Sequence, residues 1–257
     1  MRHSTRYRLN SFFSSGNFPN GVKWLLISNT AVFVAMFLLA RDELSLQRIF
    51  DWLALSPYNV LHNFRIWQLG TYLFLHGGLW HLLFNMLTLW MFGATLERDW
   101  GTRRFLKYYF LCGIGAGLCD VTVNALLGHA SLPPLEGGIT TIGASGAIYG
   151  VLLAFGVLYP ETTILFLFVF PIQAKYFVMI YGAMALLGAV GTHNSGVSNV
   201  AHLGGMIFGL LYLKMRFPKL DMYEVRRWYN NYKLQRAKKK FQVYMRKHGS
   251  GRGPWVN

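Results

Sequence analysis

The chain has 257 residues, of which 53% are hydrophobic and 14% charged, well below the roughly 25% charged residues usual in soluble globular domains. Too few polar side chains remain to cover a water-soluble surface, and the apolar residues fall in long runs, so composition excludes an ordinary soluble domain and points to a bilayer. The formal net charge is +15, and thirteen of the 25 Lys and Arg lie between Lys214 and Arg252.

In chain order, residues 1–23 are polar and basic, with Arg2, Arg6, Arg8 and Lys23. The first apolar run, Trp24 to Ala40, ends at Arg41-Asp42-Glu43. It has no small-x-small cleavage signal and is read as a retained anchor. Residues 41–78 are expected to form a mixed, aromatic loop in the membrane interface. Further spans are expected over about Leu79–Leu96, Phe105–Leu127, Gly143 to just before Pro160, Tyr176–Val190 and Val200–Phe217. Residues 162–170 are apolar, short and stopped by Pro171, and read as an interfacial connection. Cys112 and Cys119 on one helix would stand about 10 Å apart along its axis, beyond disulfide reach. The expected fold class is therefore all-α: a polytopic six-helix membrane bundle over 24–217, between a basic segment 1–23 and a basic tail 218–257. No internal repeat and no second domain are evident.

Six spans leave both termini on one side, and the basic residues say which. That side carries 22 Lys and Arg, whereas the other has only Arg41, Arg48 and Arg65. Both ends are expected to be cytoplasmic. The tail is read as a topology determinant resting on anionic lipid. Because its charges adjoin a span, nucleic-acid binding is not expected.

Polar groups inside spans are costly and are functional candidates by default. Here they are His81 and Asn85, with His76 just before them, then Asp120 and Asn124, Ser145 and Tyr149, and His202. All fall at the outward ends of their spans. Ser145 sits in a run of very small residues, Gly143-Ala144-Ser145-Gly146-Ala147, and Gly146 with Gly150 forms a small-xxx-small pair for close helix approach. His202, Gly205 and Gly209 share one face of the last span. Packing that face on the glycines of the fourth span would bring His202 within reach of Ser145, and a serine needs such a base at about 2.6–3.2 Å to become nucleophilic. His81 and Asn85, at i and i+4, can both donate toward an oxyanion. Each feature also has a plainer reading: small-xxx-small pairs are common helix glue, and His81 with Asn85 would serve as an interhelical clamp. Asp120 is expected to be solvated or bonded to a neighbouring helix, with membership of a triad a lesser reading.

Together, His76-x4-His81-x3-Asn85, the run Gly143-Ala144-Ser145-Gly146-Ala147-Ile148-Tyr149-Gly150, and Ala201-His202-Leu203-Gly204-Gly205 with Gly209 resemble the rhomboid family of intramembrane serine proteases, in its bacterial six-span form. The resemblance implies a dyad of Ser145 and His202, His81 and Asn85 as oxyanion donors, and Tyr149 packed on the His202 ring. Supporting places fall to His76 and Gly143. It implies transmembrane substrates entering laterally, surrounding lipid, a bacterial inner membrane, and no cofactor. Where the family often has a Trp-Arg pair in the outer loop, this chain has Arg65-Ile66-Trp67.

Two other classes stay open. A catalytically inactive relative would bind membrane clients without cutting them, although such a protein would be expected to lose the nucleophile or base. A transporter or metal site would use His76, His81, Asn85 and His202, the three histidines being able to hold Zn²⁺, but would not need a serine in a glycine cradle.

Overall fold

The computed structural model describes residues 18–40, 42–166, 169–190 and 198–216, with Lys238 and Phe241. The basic segment 1–17 and nearly all of the tail lie outside the described residues. Contacts divide the chain into a unit up to Tyr212 and a second from Leu213.

The chain is overwhelmingly helical. Helix α1 (Asn20–Leu39), the continuous helix Leu79–Trp100 and α7 (Thr102–Leu126) are long and apolar enough to cross a membrane. The apolar α8 (Ser145–Leu158) and α9 (Ala174–Val190) are shorter, and α10 runs Asn199–Arg216. Within Leu79–Trp100, a π-helical turn at Leu89–Gly93 joins α5 (Leu79–Thr88) to α6 (Ala94–Trp100).

Helix α7 is the centre of the bundle and packs most extensively on α8. Its buried face carries Tyr108, Cys112, Gly113, Ala116 and Gly117. These residues suit their places because adjacent elements come very close. The Tyr72 hydroxyl donates to the Gly113 carbonyl at 2.6 Å, and that of Tyr108 to the Gly150 carbonyl at 2.6 Å. Cys112 is buried, Cys119 is partly so, and both are free thiols.

A carboxylate fixes the start of α1. Buried Glu97 accepts from the Gly21 and Val22 amides, both at 2.7 Å, and from the Thr102 hydroxyl at 2.6 Å. It satisfies donors that the first turn of any helix leaves without partners and places negative charge at the positive end of the helix dipole.

Two stretches depart from the sequence expectation. Residues 41–78 are not simply loop. They form α2 (Glu43–Leu53), opened by a reciprocal Asp42–Ser45 capping box, then α3 (Pro57–His62), capped by Ser56, then α4 (Gln68–Thr71) and a 3₁₀ turn at Tyr72–Phe74. Buried Gln68 and the Arg65–Asp51 ion pair at 2.8 Å tie this region together. Its polar groups serve local caps and ties, which an apolar-run reading does not register. The connection over 162–170 belongs to an antiparallel hairpin, β1 (Thr163–Phe166) with β2 (Phe170–Gln173), pairing Ile164 with Ile172 and Leu165 with Pro171. Pro171 lies in an edge strand, where a missing N–H is tolerated.

Candidate active site

Ser145 is the first residue of α8 and His202 lies in the first turn of α10. What brings them together is the absence of side chains between the helices. A Cβ on Gly205 would run into the carbonyl oxygen of Gly146, and one on Gly150 would stand 3.1 Å from that of Gly205. A Cβ on Gly209 would be 2.5 Å from the Tyr108 hydroxyl and 3.3 Å from Gly150 Cα. One on Gly146 would meet Ala116 of α7 at 2.7 Å. At this separation Ser145 Oγ lies 2.8 Å from His202 Nε2. With the proton on Nδ1, the serine hydroxyl donates to the imidazole, the arrangement a serine nucleophile requires.

His202 is 6% exposed. Its ring stacks on Tyr149 at 4.1 Å between centroids and 5° between planes. Ser145 and Tyr149 are one turn apart on α8, so one face of that helix carries both the hydroxyl and the platform for its partner. His202 Nδ1 is buried and has no hydrogen-bond partner among the described residues. Asp120 does not reach it. This carboxylate is buried and bonded to Thr141, Asn124 and Ser198, so it is tied to neighbouring elements and is neither solvated nor the third member of a triad.

The turn into α8 runs through Gly143, whose φ of +113° suits glycine. A Cβ there would lie 2.8 Å from His81 Nε2. The glycine thus admits His81 of α5 to within contact of the turn preceding Ser145. His81 meets His76 edge-on at 5.0 Å. His76 is 2% exposed, with neither ring nitrogen bonded among the described residues. It stands just before the span, and burial first, then neighbouring His81, pushes its imidazole down to about 4. Asn85, one turn below His81, is buried and turns its amide to donate to the His81 carbonyl at 2.8 Å. Among the described residues no group of three His, Cys, Asp or Glu is placed to hold a metal ion.

With that geometry in view, the comparisons with known proteins agree on one family. The rhomboid domain model matches residues 63–219, more than half of the chain and all of the residues just described. The chain belongs to the rhomboid family. It is similar to the chloroplastic rhomboid-like protein 16 of Arabidopsis thaliana, with 30% identity over 203 residues, 76% of this chain and 62% of the relative. It is 36% identical to the mitochondrial rhomboid protein 1 of Saccharomyces cerevisiae over 140 residues, 54% of this chain and 38% of the relative. It is 33% identical to the putative rhomboid protease YdcA of Bacillus subtilis over 160 residues, 61% of this chain and 70% of the relative. The chain thus spans 62% and 38% of the first two relatives' lengths. As a rhomboid with three helices of spanning length, it is an integral membrane protein. The matched domain begins at residue 63, so α1 and the Gly21 and Val22 amides at its start precede it, while their acceptor Glu97 lies within it.

Sequence reasoning missed Thr141, Ser198, Glu97 and Tyr72. Thr141 and Ser198 lie in connections, where a hydroxyl is unremarkable until its partner is known. A Glu at the end of a span reads as solvated unless the helix it caps is seen beside it.

Proposed function

We propose that this protein is a rhomboid-type intramembrane serine endopeptidase that cuts transmembrane segments of other membrane proteins through a Ser145–His202 dyad. The observation that carries this reading is the 2.8 Å approach of Ser145 Oγ to His202 Nε2 in a chain of the rhomboid family. Relatives bearing protease names, from Bacillus subtilis and Toxoplasma gondii, support the class of activity.

In this reading His202 takes the hydroxyl proton as Ser145 Oγ attacks the scissile carbonyl carbon. Negative charge then collects on the carbonyl oxygen, where His81, Asn85 and the free N–H groups opening α8 are the donors within the same region. For Asn85 this requires turning its amide from the His81 carbonyl. Collapse of the intermediate expels the amine with the proton from His202 and leaves an acyl-Ser145. Water, deprotonated by the same histidine, releases the acid and restores the serine.

Six helices are read as spans, with both termini cytoplasmic and the dyad near the outer leaflet. Support comes from the 22-to-3 division of basic residues and from the position of Ser145 and His202 at the starts of α8 and α10. Substrates are then single-span or polytopic membrane proteins that present a locally unwound stretch at that depth. A helical peptide bond has its carbonyl held in the backbone ladder and its faces covered by side chains, so neither Ser145 nor an oxyanion donor can approach it. Gly near the scissile bond should favour cleavage, each by up to about 1 kcal/mol relative to Ala.

The test is incubation of purified protein with a model single-span substrate, beside Ser145→Ala. Cleavage by the wild type alone supports the proposal. Substrate binding without cleavage would favour a client-binding role, and cleavage by both proteins would remove Ser145 from the chemistry.

A further inference from the structure

Glycine faces allow α8 and α10 to come close, but they are smooth. Glycines offer no side-chain knobs to lock the register of one helix along the other, and a slip of one residue moves a side chain about 1.5 Å along the axis. Something else must set the register of Ser145 against His202.

Asp120, near the end of α7, is 1% exposed. Its Oδ2 accepts from the Thr141 hydroxyl at 3.0 Å, and its Oδ1 accepts from the Ser198 hydroxyl and from Asn124 Nδ2. A buried carboxylate without such donors would be costly. Two of the three donors belong to the approaches of the catalytic helices. Thr141 exchanges main-chain bonds with Leu55 at 3.0 and 2.8 Å and lies two residues before Gly143, where the chain turns into α8. Ser198 directly precedes α10. Its hydroxyl oxygen accepts from the Ala201 amide at 3.1 Å, and its carbonyl accepts from the His202 amide at 3.2 Å. One carboxylate on α7 therefore grips the lead-ins of both helices.

We propose that Asp120 is a positioning residue of the Ser145–His202 pair. Through Thr141 and Ser198 it fixes the starts of α8 and α10 against α7, and with them the distance from hydroxyl to imidazole. It acts through the backbone and not through the His202 ring. The role rests on the reading of Ser145 and His202 as the dyad.

The experiment compares wild type, Asp120→Ala, Ser198→Ala, the double variant and Ser198→Thr. It reads kcat and KM on a model single-span substrate and the rate of Ser145 labelling by a fluorophosphonate. Misplacing a reacting group by about 1 Å can cost on the order of a hundredfold in rate. Each alanine variant should lower kcat and the labelling rate by about tenfold or more, with KM little changed. The double variant should be no slower than the slower single one. Ser198→Thr, which keeps the hydroxyl, should restore most of the rate. Ser198→Ala is the milder change and carries the test if Asp120→Ala does not fold. Wild-type labelling together with undiminished kcat in a folded Ser198→Ala would overturn this role alone, as would losses confined to KM or effects that multiply. Failure of the wild type to label at Ser145 would overturn the dyad and this role with it.

Discussion

The phenol of Tyr149 lies flat beneath the imidazole of His202, 4.1 Å between centroids, while the ring's Nε2 faces Ser145 Oγ at 2.8 Å. Helix α8 supplies both neighbours of the histidine, one turn apart. The imidazole is thus held by its face and addressed at its edge. With no protein partner for Nδ1 among the described residues, the imidazole is oriented by stacking and burial in place of an acceptor.

Because the pair depends on bare backbone between α8 and α10, Gly205→Ala should be damaging. The added methyl meets the Gly146 carbonyl, and overpacking of this kind costs about 1–3 kcal/mol. Thermal melts in detergent should fall and cleavage should be largely lost. Gly70→Ala, where nothing lies within 4 Å of the added carbon, is the control and should melt like wild type. Full activity in Gly205→Ala would mean that the helices need not approach this closely.

His81→Ala and Asn85→Ala separate catalysis from helix glue. As oxyanion donors, each should lower kcat by about 10²–10³, with KM much less affected. If both variants cut at wild-type kcat, these side chains only clamp α5 in place.

Much of this was legible beforehand. Apolar runs located six helices to within a few residues at most ends. The spacing of His202, Gly205 and Gly209 against Gly146 and Gly150 anticipated which faces meet, because small residues on one helical face have few other uses. What escaped has a common cause. Thr141 and Ser198 act through partners distant in sequence, the Asp120–Ser198 bond spanning 78 positions, and no periodicity encodes such a pairing. The helices between 41 and 78 are short and depend on caps such as Ser56 and on the buried Gln68. The hairpin at 163–173 is apolar on both strands, so alternation did not mark it.

Glu97 should matter to stability more than to chemistry. Glu97→Ala leaves the Gly21 and Val22 amides without their acceptor, and each buried orphan donor costs about 1–3 kcal/mol. The melting temperature should drop clearly, with Glu97→Gln between the two because one acceptor oxygen remains. An unchanged melt in Glu97→Ala would show that other acceptors take over the start of α1.

His76 gives a pH dependence of defined sign. Its folded pKa of about 4 lies below the ordinary value near 6.5, so between these limits the unfolded chain binds the extra proton. Its contribution to stability is present above pH ~6.5 and is lost as the pH falls toward 4. Thermal melts of wild type should decline over that window, and those of His76→Leu should decline less. Identical slopes would assign the acid sensitivity to other groups.

The central claim is that Ser145 is the nucleophile, and covalent capture tests it most directly. Purified wild-type protein treated with a fluorophosphonate should gain one adduct, and peptide mapping should locate it on Ser145. His202→Ala should label far more slowly, and Ser145→Ala should not label. An adduct on another residue, or equal labelling of Ser145→Ala, would contradict the account.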